Sequence, residues 1–212
     1  MLNDILIINK AHEKAAQTIF DKVMEEHREK YIITITGEVG VGKCEVSHVL
    51  GKLLKNEGIM VKILHMDDYY KIPPAMRTEW RKKHGIRRVG YEEYNWKIIN
   101  RNIDDFRHNH ISEMPSVDLM NDQVDKIITN FDKIDLLIIN GLYSIKITSA
   151  DLKVFIDLTY KDTFDEQKAT GKEPMDEFRL KVLEREHEVI QTLKNEADFY
   201  VDFDLDNDLF HY

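Results

Sequence analysis

The sequence predicts an α/β protein built on a parallel sheet, and three observations carry that prediction. Short, near-continuous apolar runs rich in β-branched residues, such as "YIITIT" (31–36), "DLLIIN" (135–140) and "KVFIDL" (153–158), read as strands covered on both faces. Stretches with helical spacing lie between these runs, as in a layered α/β chain. A glycine-rich segment, "GEVGVGKC" (37–44), joins the first such strand to the helical pattern after it.

Taken in order, Ala15, Ala16, Ile19, Phe20, Val23 and Met24 recur at helical spacing and predict an amphipathic helix over about 10–29. The strand 31–36 follows. Beyond the glycine segment, Val46, Val49, Leu50, Leu53 and Leu54 mark one helical face, which closes at "NEG" with Gly58 in a helix-terminating position. "IMVKIL" (59–64) is the next strand. Residues 71–115 are polar, carry Pro73, Pro74 and both tryptophans, and read as an insert on the substrate side of the core. Helical patterns are read near 96–108, 121–131 and 174–195, with further strands at 135–140, 153–158 and "FYVDFDL" (199–205). The expectation is one domain over 1–212, with a helical extension at 1–30 and a lid-like segment at 161–188.

The 42% hydrophobic and 33% charged content over 212 residues suits one globular core. Thirty Lys and Arg against 39 Asp and Glu give a net charge of −9, which argues against a general nucleic-acid or acidic-membrane surface. One cysteine excludes an internal disulfide and suits a reducing compartment. No apolar run approaches the roughly 20 residues that cross a bilayer. A cytoplasmic protein acting on a small molecule is expected, and self-association is left open.

"GEVGVGKC" has the form of a phosphate-binding loop. Glycines allow a tight turn that aims successive N–H groups at phosphate oxygens, and the following helix adds its positive end. Lys43 would reach the β- and γ-phosphates. Such loops end in a hydroxyl residue that helps to hold magnesium, whereas this one ends in Cys44, a soft ligand for a hard cation. The rival account is an ordinary strand-to-helix turn that happens to contain three glycines and a lysine.

"HMDDYY" (65–70) closes the second strand, so Asp67 and Asp68 lie at a carboxyl end of the sheet, where ligands of parallel α/β folds collect. A carboxylate there could accept a hydroxyl proton or hold a metal-bound water; an acidic pair capping a turn is the alternative. His65 reads as a satisfied internal histidine. "IDLLIINGLYS" places Asn140 where a magnesium-contacting acid usually stands, offering an oxygen without charge. Most of the charge in "RTEWRKKHGIRR" (77–88) reads as a solvated helix packed through tryptophan. In 163–190, Leu180, Leu183, His187 and Ile190 are read as the buried stripe of a helix.

Together, "GEVGVGKC", "HMDDYY", "GYEEYNW" (90–96) and "LLIINGLYS" resemble the uridine kinase and phosphoribulokinase-like family of P-loop kinases, in the right order across about 31–205. The resemblance implies a P-loop NTPase three-layer fold with a parallel five-stranded sheet flanked by helices. It also implies ATP and Mg2+ as cofactors, and transfer of the γ-phosphate to a hydroxyl of a small metabolite, a nucleoside or a related acceptor. The nucleotide would lie on Gly37, Glu38, Val39, Gly40, Val41, Gly42, Lys43 and Cys44. Asp67 would be the base beside Lys43, and Asp68, Tyr70, Glu92 and Glu93 would face the acceptor. Cys44, Asp67 and Asn140 would lie on the metal side, Asn140 weakly. Lys168, Lys172 and Arg179 would supply a thinly charged lid. The chain departs from the family at Cys44, at Asn140 and in that lid, so a nucleotide-binding regulatory protein with weakened catalysis is the alternative function. An α/β interaction protein with a fortuitous loop is a third.

Overall fold

The structure, a computed structural model, describes residues 5–118, 120–121, 123–170 and 174–203. Helix α1 (Lys10–Glu26) leads into strand β1 (Tyr31–Thr36), helix α2 (Lys43–Asn56) and strand β2 (Val61–His65). Helices α3 (Pro74–His84) and α4 (Trp96–Arg107) follow, then strands β3 (Ile111–Asp118) and β4 (Gln123–Asn130). Strands β5 (Leu136–Asn140) and β6 (Leu152–Ile156), helices α5 (Phe164–Thr170) and α6 (Glu177–Leu193), and strand β7 (Phe199–Val201) complete the order.

The main sheet is five-stranded and parallel throughout, in the order β2-β5-β1-β6-β7. Side chains alternate along each strand, so the continuous apolar runs feed two cores. Ile33, Ile35, Ile138 and Val154 meet Ile19 and Val23 of α1 and Val46, Leu50 and Leu54 of α2. Ile32, Leu137, Ile139 and Phe155 face the other way, onto Ile99, Ile103 and Phe106 of α4 and Ile190 of α6. Because β1 and β5 are buried along their whole length, their carboxyl ends form a fixed floor for the loops that follow. Among the described residues, no helix is long and apolar enough to cross a membrane.

Two expectations are corrected. The helix read near 121–131 is strand β4, which pairs antiparallel with β3 from Ile111↔Asn130 to Asp118↔Gln123. Val124, Ile127 and Ile128 have helical spacing, but all three are exposed, so no buried face rewards a helix there; β-branched residues in a backbone ladder favour the strand. The stripe on α6 is also rotated from the one read: Val182, Leu183, Glu186, Val189, Ile190 and Leu193 are buried, while Leu180 is 39% exposed. A buried glutamate inside an apolar stripe is the sign of an internal ion pair.

Candidate active site

The segment between β1 and α2 turns through Gly40 (φ 81°) and Gly42 (φ 80°), left-handed conformations that glycine adopts without strain. A Cβ at Gly40 would stand 2.6 Å from Cγ of Gln167, and one at Gly42 would strike the His12 ring. Gly42 is the N-cap of α2 and, among the described residues, no side chain caps that end. The helix's first-turn N–H groups are therefore offered to an anion. The half-buried Lys43 folds back over the loop, its Nζ donating to the Glu38 carbonyl at 2.5 Å. Burial pushes its amine down from the usual lysine range, and among nearby charges the Asp67 carboxylate opposes that shift most.

The loop is anchored by the side chain of its own second residue. The buried Glu38 carboxylate accepts from the Tyr160 backbone N–H at 2.8 Å, from His187 Nδ1 at 2.7 Å and from Gln191 Nε2 at 2.8 Å. His187 and Gln191 are four apart on α6 and share a helix face. From above, Gln167 of α5 donates to the carbonyls of Val39 and Tyr160, both at 3.2 Å.

Beside Lys43 runs a directed chain of hydrogen bonds. Ser47 Oγ donates to the Lys43 carbonyl at 2.7 Å, so it accepts from Asn140 Nδ2 at 2.9 Å. Asn140 Oδ1 then faces His65 Nδ1 at 3.0 Å, which fixes that nitrogen as the protonated donor. Cys44 Sγ lies 3.9 Å from the same nitrogen. Parallel pairing of β2 with β5 sets His65 beside Asn140. Asn140, expected on the metal side, is 2% exposed with both ends of its amide engaged by protein groups.

Past β2 the chain makes a single tight turn, Met66–Tyr69, with Asp67 half-buried. Asp68 accepts from the Val117 N–H of β3 at 2.9 Å, and burial pushes its carboxyl up. Tyr70 accepts from the Tyr94 hydroxyl at 2.7 Å, and the Arg77 guanidinium lies 3.4 Å over its ring. Burial raises the Tyr70 phenol above its usual range.

A family model, Phosphoribulokinase / Uridine kinase family, matches residues 32–166, well over half of the chain. The chain belongs to that family. A uridine kinase of Staphylococcus haemolyticus (strain JCSC1435) is 27% identical over 133 residues, a match covering 59% of this chain and 61% of the relative's length. Among solved structures, a possible uridine kinase from Bacillus stearothermophilus is similar with a TM-score of 0.65 and 18% identity, over 89% of this chain and 98% of that one. The phosphoribulokinase from Rhodobacter spheroides is similar with a TM-score of 0.62 and 17% identity, over 81% and 69% of the two chains.

Within this family fold the remaining expected residues separate. Glu93 is buried and held bidentately by Arg81, at 2.8 and 2.9 Å, with Glu186 a further 3.2 Å contact of the same guanidinium. Its carboxylate belongs to an ion-pair network that joins Arg81 of α3 to Glu186 of α6. Glu92 is exposed and, with Lys71, Trp80, Arg88, Trp96 and the edge of Glu93, lines a cavity of about 590 Å³. Lys168 is exposed on α5, Arg179 pairs with Glu186 at 3.8 Å, and Lys172 lies outside the described residues. Among the described residues, no three of His, Cys, Asp or Glu gather as a ready-made metal centre.

The residues missed from sequence are those that act through others: Ser47, Gln167, His187, Gln191 and Arg81. A signal existed for the partner of Arg81: Glu186 interrupts the apolar stripe of α6, where an unpartnered polar side chain would be costly.

Proposed function

We propose that this protein is an ATP-dependent kinase that transfers the γ-phosphate to a hydroxyl of a small metabolite. One observation carries the reading: the phosphate loop after β1 and Asp67 after β2 open at the same end of a parallel sheet, with the Lys43 amine in the field of the Asp67 carboxylate. The loop fits a triphosphate, because Gly40 and Gly42 take left-handed turns and the end of α2 carries no side-chain cap. The donors fit a magnesium ion that keeps phosphate and water oxygens as its main ligands, with Asp67 as the protein carboxylate that would hold it. When bound, ATP supplies the transferable phosphoryl group and magnesium neutralises charge on it.

Lys43 would leave the Glu38 carbonyl and donate to phosphate oxygens. Asp67 would orient the acceptor hydroxyl and take its proton as the hydroxyl oxygen bonds to phosphorus and the bridging P–O bond breaks. Gln167 and Glu38 would hold the loop's shape meanwhile.

The test is ATP-dependent phosphate transfer to a panel of nucleosides and other hydroxylated metabolites. Lys43→Ala should abolish transfer. Asp67→Asn should lower kcat by about 10²–10⁴ while ATP still binds; normal turnover in that variant would remove Asp67 from the role of base.

The second reading, a nucleotide-binding regulator with weakened catalysis, is favoured by the engaged amide of Asn140 and the thiol of Cys44 beside it. ATP affinity indifferent to magnesium, with no transfer to any acceptor, would select it.

A further inference from the structure

Arg77 stands out among the cations of the acceptor side. It lies on α3 one turn before Arg81, so both side chains face Tyr70. Arg81 takes the carboxylates of that neighbourhood, two bonds to Glu93 and one to Glu186, and Arg179 takes a share of Glu186. Arg77 is left without one: among the described residues its only hydrogen bond is a long 3.5 Å contact from Nη2 to the Ile72 carbonyl. Its Nε is buried and has no acceptor.

A guanidinium has five donors in a rigid fork and stays charged at any physiological pH. Half-buried and without a carboxylate partner, such a group keeps its terminal N–H groups for an arriving anion, while its Nε stays closed to solvent. The ring of Tyr70, 3.4 Å beneath, holds the fork flat and in place. Tyr70 itself follows Asp67 by three residues, at the end of the same tight turn. The fork therefore packs on the residue that ends the Asp67 turn, on α3 rather than on the phosphate loop.

We propose that the acceptor is an anionic metabolite, carrying a phosphate or carboxylate group besides the hydroxyl that is phosphorylated, and that Arg77 binds that group. The inference rests on the kinase reading for its reaction, but its binding step can be tested without turnover. Charge-assisted pairing to a planar anion is the strongest use of the Arg77 fork. A neutral nucleoside offers carbonyl and hydroxyl acceptors but no charge to pair with the fork.

The experiment compares ribose 5-phosphate and glycerate, as phosphate and carboxylate probes, with the neutral ribose and uridine. Thermal shifts are measured first, with a non-hydrolysable ATP analogue filling the phosphate loop so that the probes cannot bind there. An anionic probe should stabilise the wild-type protein and not Arg77→Gln, with Arg77→Lys intermediate, and the better of the two probes names the anion. In transfer assays Arg77→Gln should raise KM for the anionic acceptor by about tenfold or more. Its kcat and its KM for ATP should stay within about twofold of wild type. The unliganded melting temperatures of both variants report whether either has lost its fold.

Anion-dependent stabilisation that needs Arg77, without transfer to any acceptor, would sustain the site while overturning the kinase reading. Three results overturn the inference itself. They are the absence of any shift with either anionic probe at 10 mM, preferred transfer to ribose or uridine that Arg77→Gln leaves unchanged, and an Arg77→Gln defect confined to KM for ATP.

Discussion

The imidazole of His187 donates to the carboxylate of Glu38 at 2.7 Å, joining the second residue of the phosphate loop to a helix 149 positions further along the chain. With Gln191 and the Tyr160 N–H on the same buried carboxylate, the loop's shape is set from outside the loop.

Removing that carboxylate should therefore harm nucleotide binding without touching a phosphate. Glu38→Ala strands three donors around a buried position and should cost about 3 kcal/mol of stability. Urea unfolding and ATP titration should both show the loss. Glu38→Gln keeps one acceptor oxygen but brings an amide N–H2 against the other donors, so an intermediate loss is expected.

Glu92 and Glu93 are neighbours in sequence with opposite expected behaviour. Glu93→Gln weakens a buried, bidentate pair and leaves Arg81 short of charge; a stability loss of about 3 kcal/mol is expected. Glu92→Gln, on the exposed cavity wall, should stay within about 0.5 kcal/mol of wild type. Equal melting temperatures for the two variants would contradict a structural role for the Glu93–Arg81 pair.

Cys44 lies in the first turn of α2 beside Lys43, with its Sγ 3.9 Å from His65 Nδ1. Alkylation of this single thiol should be slowed by saturating ATP. Equal labelling with and without the nucleotide would place Cys44 away from the phosphates. Cys44→Ser should keep or raise magnesium-dependent transfer, since the hydroxyl is the harder ligand.

His12 gives the fold an acid-side weakness. Burial lowers its pKa from 6.5, against an opposing pull from the Glu45 charge, and its Nδ1 accepts the Asn9 N–H that caps α1. Above pH 6.5 the ring is neutral in both folded and unfolded chains and its stabilising share is complete. As pH falls from there through the folded value, the unfolded chain takes up the proton first and that share is lost. Unfolding midpoints between pH 7.5 and 5.5 should fall less steeply in His12→Gln, whose amide oxygen can still accept the Asn9 N–H. Identical slopes would exclude His12 as a source.

The contrast between what was legible and what was not has a physical basis. The runs at 31–36 and 135–140 announce themselves because both their faces are buried, and "GEVGVGKC" because a phosphate cradle demands glycine at fixed places. Asn140 was legible as a position and illegible as a partner: Ser47 lies 93 residues away and meets it only once β5 and α2 have packed. The helical spacing of Val124, Ile127 and Ile128 misled because periodicity reports a structure only where one face is buried, and these three stay in solvent on a ribbon held by its backbone. Arg77 and Arg81 look alike in "RTEWRKKHGIRR", and only the tertiary fold decides that one receives the glutamates.

Helix α1 has a consequence for how this protein can be cut, grafted or inherited. Ala16, Ile19 and Val23 are fully buried against the sheet and α2, and the His12 ring rests against Gly42. A piece that began at Tyr31, tidy by its motifs, would bare an oily flank and leave Gly42 without its wall. The packed unit around the glycine loop starts at Asn9, well upstream of its first glycine.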